Sequence, residues 1–329
     1  MGSMHAEELW NGESFGARAL RTVLSPASWL YAAAWQGYLA TYRLGIKRPK
    51  EPHRPVICVG NLVAGGSGKT PATLHLADAL KDIGRDVAIS CSGYGSPASK
   101  AAQLAPEGEL KASEWGDEAA MLRWLRPEIP LIVGRRRVLA AEICHRELPN
   151  AILLMDDGFQ HLPLRKHVSL IIDPAMRNRR CLPAGPYREP WRNRSRADLV
   201  ISPAGEFVLG VEKEGFVDSQ GQPRATPGAV YVLCAIGRPG EFVDSLTERG
   251  VNPVRTALLR DHDPLTAGNL FDGFDRALPV VVTAKDWVKL RDRQDAGRYE
   301  FIIATRDVEI RPRDGFRIWL EERLSGLPH

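Results

Sequence analysis

The sequence predicts an α/β fold: a parallel sheet with helices on both faces, joined by a two-stranded β-ribbon to a smaller C-terminal α/β domain. Three observations carry this. Short apolar, strand-like runs alternate with helical patterns up to about residue 206, the signature of a parallel sheet. A glycine-rich loop separates the first of these runs from the helical pattern that follows. From Phe207 to Ala229 the character changes to two short alternating runs around Asp218-Ser219-Gln220-Gly221, which is hairpin chemistry. The expected domains are therefore 1–206, a ribbon at 207–229, and 230–329.

At 329 residues the chain has room for two ordinary domains. The stretch from Leu20 to Lys50 is rich in Trp and Tyr and flanked by Arg and Lys. Ser, Gln, Thr and Arg interrupt it too often for a membrane span. It suits either a helix lying in a membrane interface or an amphipathic helix packed on the protein's own core. The opening residues carry no apolar core of the secretory kind. The five cysteines are scattered without a C-x-x-C pair, and read as small buried hydrophobes in a reducing compartment.

Val56-Ile57-Cys58-Val59 reads as a buried parallel strand. Gly60 and Asn61 follow, then Gly65, Gly66, Ser67, Gly68, Lys69 and Thr70, then a helical spacing at Leu74, Ala77, Leu80 and Ile83. A glycine nest opening a helix offers inward N–H groups and partial positive charge to an anion. In such a phosphate loop, Lys69 reaches the β- and γ-phosphates and Thr70 ligates Mg²⁺. The pattern G-x-x-x-x-G-K-[ST] would place its first glycine at position 63, where this chain has Val63. The Gly-Lys-Thr end and the nest, which do the binding, are intact.

Further apolar runs, "DVAISCSG", "PLIVG", "AILLMDDG", "VSLIIDP" and "ADLVISP", continue the sheet. Ligands of such sheets sit beyond the carboxyl ends of the strands. "LLMDDGFQH" ends one strand on Asp156 and Asp157, where an acid holding Mg²⁺ belongs; adjacent carboxylates repel unless a cation joins them. Asp117 and Glu118 open a helical pattern in "EWGDEAAML", which is equally a capping arrangement. His262 stands between Asp261 and Asp263, as a structural histidine or one tuned by its acids. "LPAGPYREP" joins a rigid turn to Arg188 and Glu189, and an arginine there can clamp a phosphate. Between Arg165 and Arg196 nine basic residues face only Asp173 and Glu189, which suits an anionic partner. No aromatic-basic nucleic-acid module accompanies them, so no nucleic-acid partner is expected.

In order and spacing, "VGNLVAGGSGKTP", "GDEAAML", "DDGFQH", "LPAGPYREP", "AIGRPGEF", "DHDPLT" and "TAKDWVKL" resemble the tetraacyldisaccharide 4'-kinase family of lipid A synthesis, from about Leu20 to about Leu290. The displaced glycine, with Gly60-Asn61 before it, is similar to that family's own loop. The resemblance implies transfer of the γ-phosphate of ATP, with Mg²⁺, to the 4'-hydroxyl of a lipid disaccharide 1-phosphate. It implies a monomer at the cytoplasmic face of the bacterial inner membrane, bound to an anionic surface through its N-terminal helix. It also implies a catalytic dyad of Asp117, as base, and His262. Asp156 and Asp157 would complete the metal shell, with Gln160, His161, Arg137, Arg188 and Glu189 lining the site. If Asp117 stands in one domain's site and His262 in the other's, closure could assemble the dyad and exclude water.

Two departures from the family pattern stand out. Ser92 occupies the place of the family's usual arginine in S-R-G-Y-G, so that either Arg135, Arg136 or Arg137 replaces it or the activity is reduced. Arg179-Arg180 stand where a Gly-Asn pair is common. The competing readings are a P-loop kinase of another, soluble acceptor and a P-loop switch ATPase or GTPase. "TAKD" fails the guanine-reading [NT]-K-x-D spacing, because Asp286 follows Lys285 directly.

Overall fold

The computed structural model describes residues 6–66 and 68–327. Its strands are β1 (Val56–Asn61), β2 (Val87–Cys91), β3 (Gln103–Leu104), β4 (Leu131–Val133), β5 (Ile152–Asp156), β6 (Val168–Ile172), β7 (Leu199–Ile201), β8 (Val208–Val217), β9 (Pro223–Arg224), β10 (Ala229–Cys234), β11 (Asn252–Leu258), β12 (Val280–Thr283) and β13 (Phe301–Arg311). The α-helices are α1 (Ala6–Asn11), α2 (Phe15–Arg43), α3 (Lys69–Asp82), α4 (Ala112–Trp115), α5 (Asp117–Leu125), α6 (Arg137–Glu147), α7 (Pro239–Glu248), α8 (Ala284–Leu290) and α9 (Arg313–Ser325). The α/β class expected from the alternating runs is the one observed.

By contacts the chain divides into two compact units, each discontinuous in sequence: Met1–Thr73, Ile152–Leu209 and Ile310–His329 form one, Leu74–Ala151 and Gly210–Glu309 the other. In the first unit β1 lies between β5 and β6, parallel to both, and β7 extends the row beside β6. All six residues of β1 are buried, as are all of β5 and β6. A strand covered on both faces favours apolar residues along most of its length, so these segments do not alternate.

Helix α2 opens on Ser14, whose hydroxyl accepts the Ala17 N–H at 3.2 Å, an N-cap. Three of its polar groups dock onto the basic loop. Ser28 Oγ accepts the Ala184 N–H, Tyr31 donates to the Arg188 carbonyl, and Gln36 donates to Asn193. The outer face leaves Val23, Trp29 and Leu30 at 74, 69 and 74% exposure. So one side of α2 is tied to the protein and the other presents apolar surface. Among the described residues no helix is long and apolar enough to cross a membrane.

In the second unit β2 pairs parallel with β4 and β3 antiparallel with β4. A six-stranded sheet follows the order β11-β10-β12-β13-β8-β9. The expected ribbon is β8 with β9, antiparallel, with Phe216 opposite Arg224 and Val217 opposite Pro223. Its turn is the Asp218–Gly221 stretch: Asp218 Oδ1 accepts the Gln220 and Gln222 N–H groups, and Gly221 takes φ +78°. Tyr231, Phe271, Phe274, Trp287 and Phe301 centre the apolar core of this unit, and Met121, Trp124 and Leu125 of α5 pack against it. That packing sets the N-terminus of α5 beside α8. All five cysteines are free and buried, as expected of small hydrophobes.

Gly60 has a packing reason to be glycine. A Cβ added there would stand 2.6 Å from Phe159 Cβ, a distance the close-packed interior cannot absorb without moving the strand. Gly60→Ala is expected to cost about 1–3 kcal/mol and to lower the thermal midpoint by several degrees. An unchanged midpoint would show that Phe159 yields freely.

Candidate active site

The first unit carries the phosphate loop. Gly65 and Gly68 hold φ values of +94° and +78°, open to glycine at little cost. Ser67 lies outside the described residues. From the first turn of α3, Thr70 Oγ1 donates to Asp156 Oδ2 at 3.1 Å and Thr73 Oγ1 to Asp156 Oδ1 at 2.9 Å. Asp156 ends β5 and is buried. Burial pushes its carboxyl up and the Asp157 charge adds to this, while Lys69 and the two hydroxyls oppose.

Asp157 sits in the left-handed region at φ +50°, where a non-glycine residue is held by its surroundings. Arg188 grips it with two bonds of 3.0 and 3.2 Å and also donates to the Asn61 side chain. Lys69 Nζ lies 3.8 Å away. Lys69 and Arg188 thus share one counter-ion beside the loop.

Glu189 organises the next layer. Fully buried, it accepts from Gln160 at 3.0 Å, Asn193 at 2.9 Å and Arg196 at 2.6 Å. Gln160 also donates to the Asn61 carbonyl, and the Lys166 ammonium to the carbonyls of Phe159 and His161. Glu189 therefore holds the loop's surroundings in place through buried, charge-assisted bonds.

The oxygen donors present suit Mg²⁺. A hydroxyl and a buried strand-end carboxylate are hard ligands, and Mg²⁺ takes one or two carboxylates with substrate phosphates and waters. Among the described residues no group of three or more His, Cys, Asp or Glu able to hold a metal occurs. A cation at Asp156 would also offset the burial and repulsion that raise its carboxyl.

The second unit carries Asp117 and His262, 145 residues apart in sequence. They meet inside that one unit, with the pair formed. His262 Nδ1 lies 3.0 Å from Asp117 Oδ2, and Asp117 Oδ1 accepts the Glu118 N–H at 2.9 Å. Asp117 opens α5 behind Gly116, which takes φ +90° and packs on the Gly93 backbone; a side chain there would be both strained and crowded. His262 is itself left-handed, at φ +61°. A cavity of about 470 Å³ opens on the pair, lined by Tyr94, Ser96, Pro264, Lys289 and Arg293 among others.

Burial pushes the Asp117 carboxyl up, but the hydrogen bond from His262 and the charges of Lys285, His262 and Lys289 outweigh it and hold it at about 2. The bond to Asp117 raises His262 above its ordinary value, against burial and the Lys285 charge.

Lys69, Asp157, Arg188, Asn61, Gln160 and Glu189 are linked in one chain of bonds and ion pairs in the first unit, and Thr70 and Asp156 form a bonded pair at the chain neighbours of Lys69 and Asp157. Arg137 belongs to the second unit, buried, with its guanidinium on Ser90 Oγ at 2.9 Å. Of the three arginines offered as substitutes at Ser92, Arg135 is the one stacked over Tyr94, 5.1 Å from the ring centroid. Tyr94 in turn lies 6.2 Å from the His262 ring. Sequence reasoning missed Thr73, one helical turn after Thr70, and Lys285, within reach of both members of the dyad. "TAKD" is a helix cap: Thr283 Oγ1 accepts the Asp286 N–H, and buried Asp286 pairs with Lys289 at 3.0 Å.

A glycine loop opening a helix, hydroxyls on a buried strand-end carboxylate and a lysine at the loop define a P-loop phosphotransferase. The family model for tetraacyldisaccharide-1-P 4'-kinases matches residues 20–325, and the chain belongs to that family. It is 32% identical to the tetraacyldisaccharide 4'-kinase of Halorhodospira halophila, over 94% of this chain and 93% of that protein. It is 34% identical to the same enzyme of Aromatoleum aromaticum, over 91% and 92%. The crystal structure of LpxK from Aquifex aeolicus in complex with ATP is similar at a TM-score of 0.79 and 25% identity, covering 92% of this chain and 99% of that one.

The dyad makes stability depend on pH. A carboxyl held at about 2 contributes stability that is present above its unfolded value, about 4, and is lost as pH falls between the two. The urea midpoint of the wild type should therefore lose its advantage over Asp117→Asn as pH drops from about 4 towards 2. A gap that stays constant across that range would remove the His262 bond as its source.

Proposed function

We infer that this chain transfers the γ-phosphate of ATP to the 4'-hydroxyl of a tetraacyldisaccharide 1-phosphate, forming the lipid A precursor lipid IVA. The observation that carries the reading is the Asp117–His262 pair, built from distant parts of the chain and opening on a cavity, in a chain matched to the kinase family over residues 20–325.

The roles follow from charge and position. The glycine nest and Lys69 hold the β- and γ-phosphates. Thr70 and Asp156, with Asp157, would hold Mg²⁺, which when bound would neutralise phosphate charge. Arg188 exchanges Asp157 for a phosphate oxygen, a partner it can also grip bidentately. Asp117 accepts the proton of the acceptor hydroxyl, and His262 orients it. Held at about 2, Asp117 is ionised throughout the working range. Such a weak base suffices because phosphoryl transfer has a loose transition state, in which the hydroxyl need not be deprotonated early.

The acceptor is a lipid, and α2 suits it. Its exposed Trp29, Leu30 and Val23, beside the basic stretch from Arg165 to Arg196, support a monotopic seat on an anionic membrane surface. In this reading the protein works as a monomer at the cytoplasmic face of the inner membrane.

With γ-labelled ATP, Mg²⁺ and the lipid in detergent micelles, the wild type should label the lipid. Asp117→Ala should lower turnover by about 10²–10⁴, and Lys69→Ala should abolish labelling. Full labelling by Asp117→Ala would remove Asp117 from the base role. ATP hydrolysis without labelled lipid would contradict the acceptor.

A further inference from the structure

Lys285 is the third member of the dyad's cluster, and nothing in the reaction described above uses it. It stands in the first turn of α8 with its side chain 17% exposed. Its Nζ lies 3.3 Å from His262 Nε2, 3.3 Å from Asp261 Oδ1 and 3.6 Å from Asp117 Oδ2. All four residues belong to the second unit.

An ammonium has hydrogens to donate and no lone pair to accept with. A bond between Nζ and Nε2 therefore requires Nε2 to be the acceptor, so the ring proton of neutral His262 sits on Nδ1. That nitrogen faces Asp117 Oδ2 at 3.0 Å, and an N–H there is the only neutral form that donates to the carboxylate. With the opposite tautomer, the Nδ1 lone pair would point at the Asp117 charge and the Nε2 hydrogen at the lysine.

We propose that Lys285 is a positioning residue of this kinase: its ammonium donates to His262 Nε2, fixes the ring proton on Nδ1, and so aims the imidazole at Asp117. The role in turnover rests on the lipid-kinase reading; the tautomer does not. A pH dependence follows. Asp117 and Asp261 draw a second proton onto the ring and Lys285 opposes it. Tyr94, Lys289, Asp292 and Arg293 line the same cavity. A doubly protonated ring can no longer accept from Lys285, and it tightens on Asp117, cutting that carboxylate's capacity to take the substrate proton.

The test is nitrogen NMR of the full-length chain labelled with ¹⁵N-histidine, with the His262 signal assigned by its loss in His262→Gln. The expected wild-type form is the Nδ1–H tautomer. Lys285→Met should raise the His262 titration midpoint by about 0.7 pH unit, the effect of one charge at about 4 Å in a water-like medium. The acid limb of kcat should move up by the same amount, and Lys285→Arg should return both towards wild type. A wild-type ring protonated on Nε2 would overturn the proposal, and that reading needs no variant to fold. A midpoint and limb unmoved in folded Lys285→Met would overturn it equally. A wild type that labels no lipid would overturn the kinase reading and leave the tautomer measurement valid.

Discussion

The burial of the Asp156 carboxylate under the hydroxyls of Thr70 and Thr73 is the constraint on which the phosphate site depends. It ties the end of β5 to the first turn of α3, and thereby sets where the glycine loop between β1 and α3 must run. A buried carboxylate next to a second one is costly unless cations and donors surround it. The surroundings supply them: Lys69 and Arg188 on Asp157, and the two threonines on Asp156. In the proposed function, negative charge gathered at the mouth of an anion-binding loop suits a metal-bound polyphosphate, because a metal would answer both charges together.

Glu189 extends the same logic one layer outwards. Its carboxylate is fully buried and takes bonds from Gln160, Asn193 and Arg196. Asn193 also receives α2 through Gln36, so the helix with the exposed apolar face and the phosphate site share a hydrogen-bond network. In the second unit the corresponding cost is backbone strain. His262 and Leu265 both adopt positive φ in the loop after β11, and that conformation brings the imidazole to Asp117. Strain of this kind persists where surrounding contacts over-determine it.

Much of this was legible in the sequence. The glycine loop, the Asp156-Asp157 strand end and the hairpin chemistry at Asp218–Gly221 follow from local rules of backbone and charge, and each stands where those rules put it. What was not legible depends on long-range packing. Gly60 looks like part of a phosphate loop, yet its close neighbour is Phe159, ninety-nine residues on. Arg137 is buried on Ser90, forty-seven residues back in the chain. Lys285 is one lysine in a helical pattern, and only the packing of α5 against the aromatic core carrying α8 brings it to Asp117. The condition for a dyad assembled by closure, Asp117 and His262 in different domains, is likewise invisible in local sequence. Distance along the chain is a poor guide to which compact unit a residue joins when both units are discontinuous.

The central claim is that the phosphoryl group goes to one hydroxyl of a lipid disaccharide. The most direct measurement is phosphorus–proton correlation NMR of the lipid recovered after turnover with ATP and Mg²⁺. The account predicts one new monophosphate, coupled to the proton at the 4' carbon, with the original 1-phosphate unchanged. Phosphate at any other position, or a diphosphate built on the existing 1-phosphate, would contradict it.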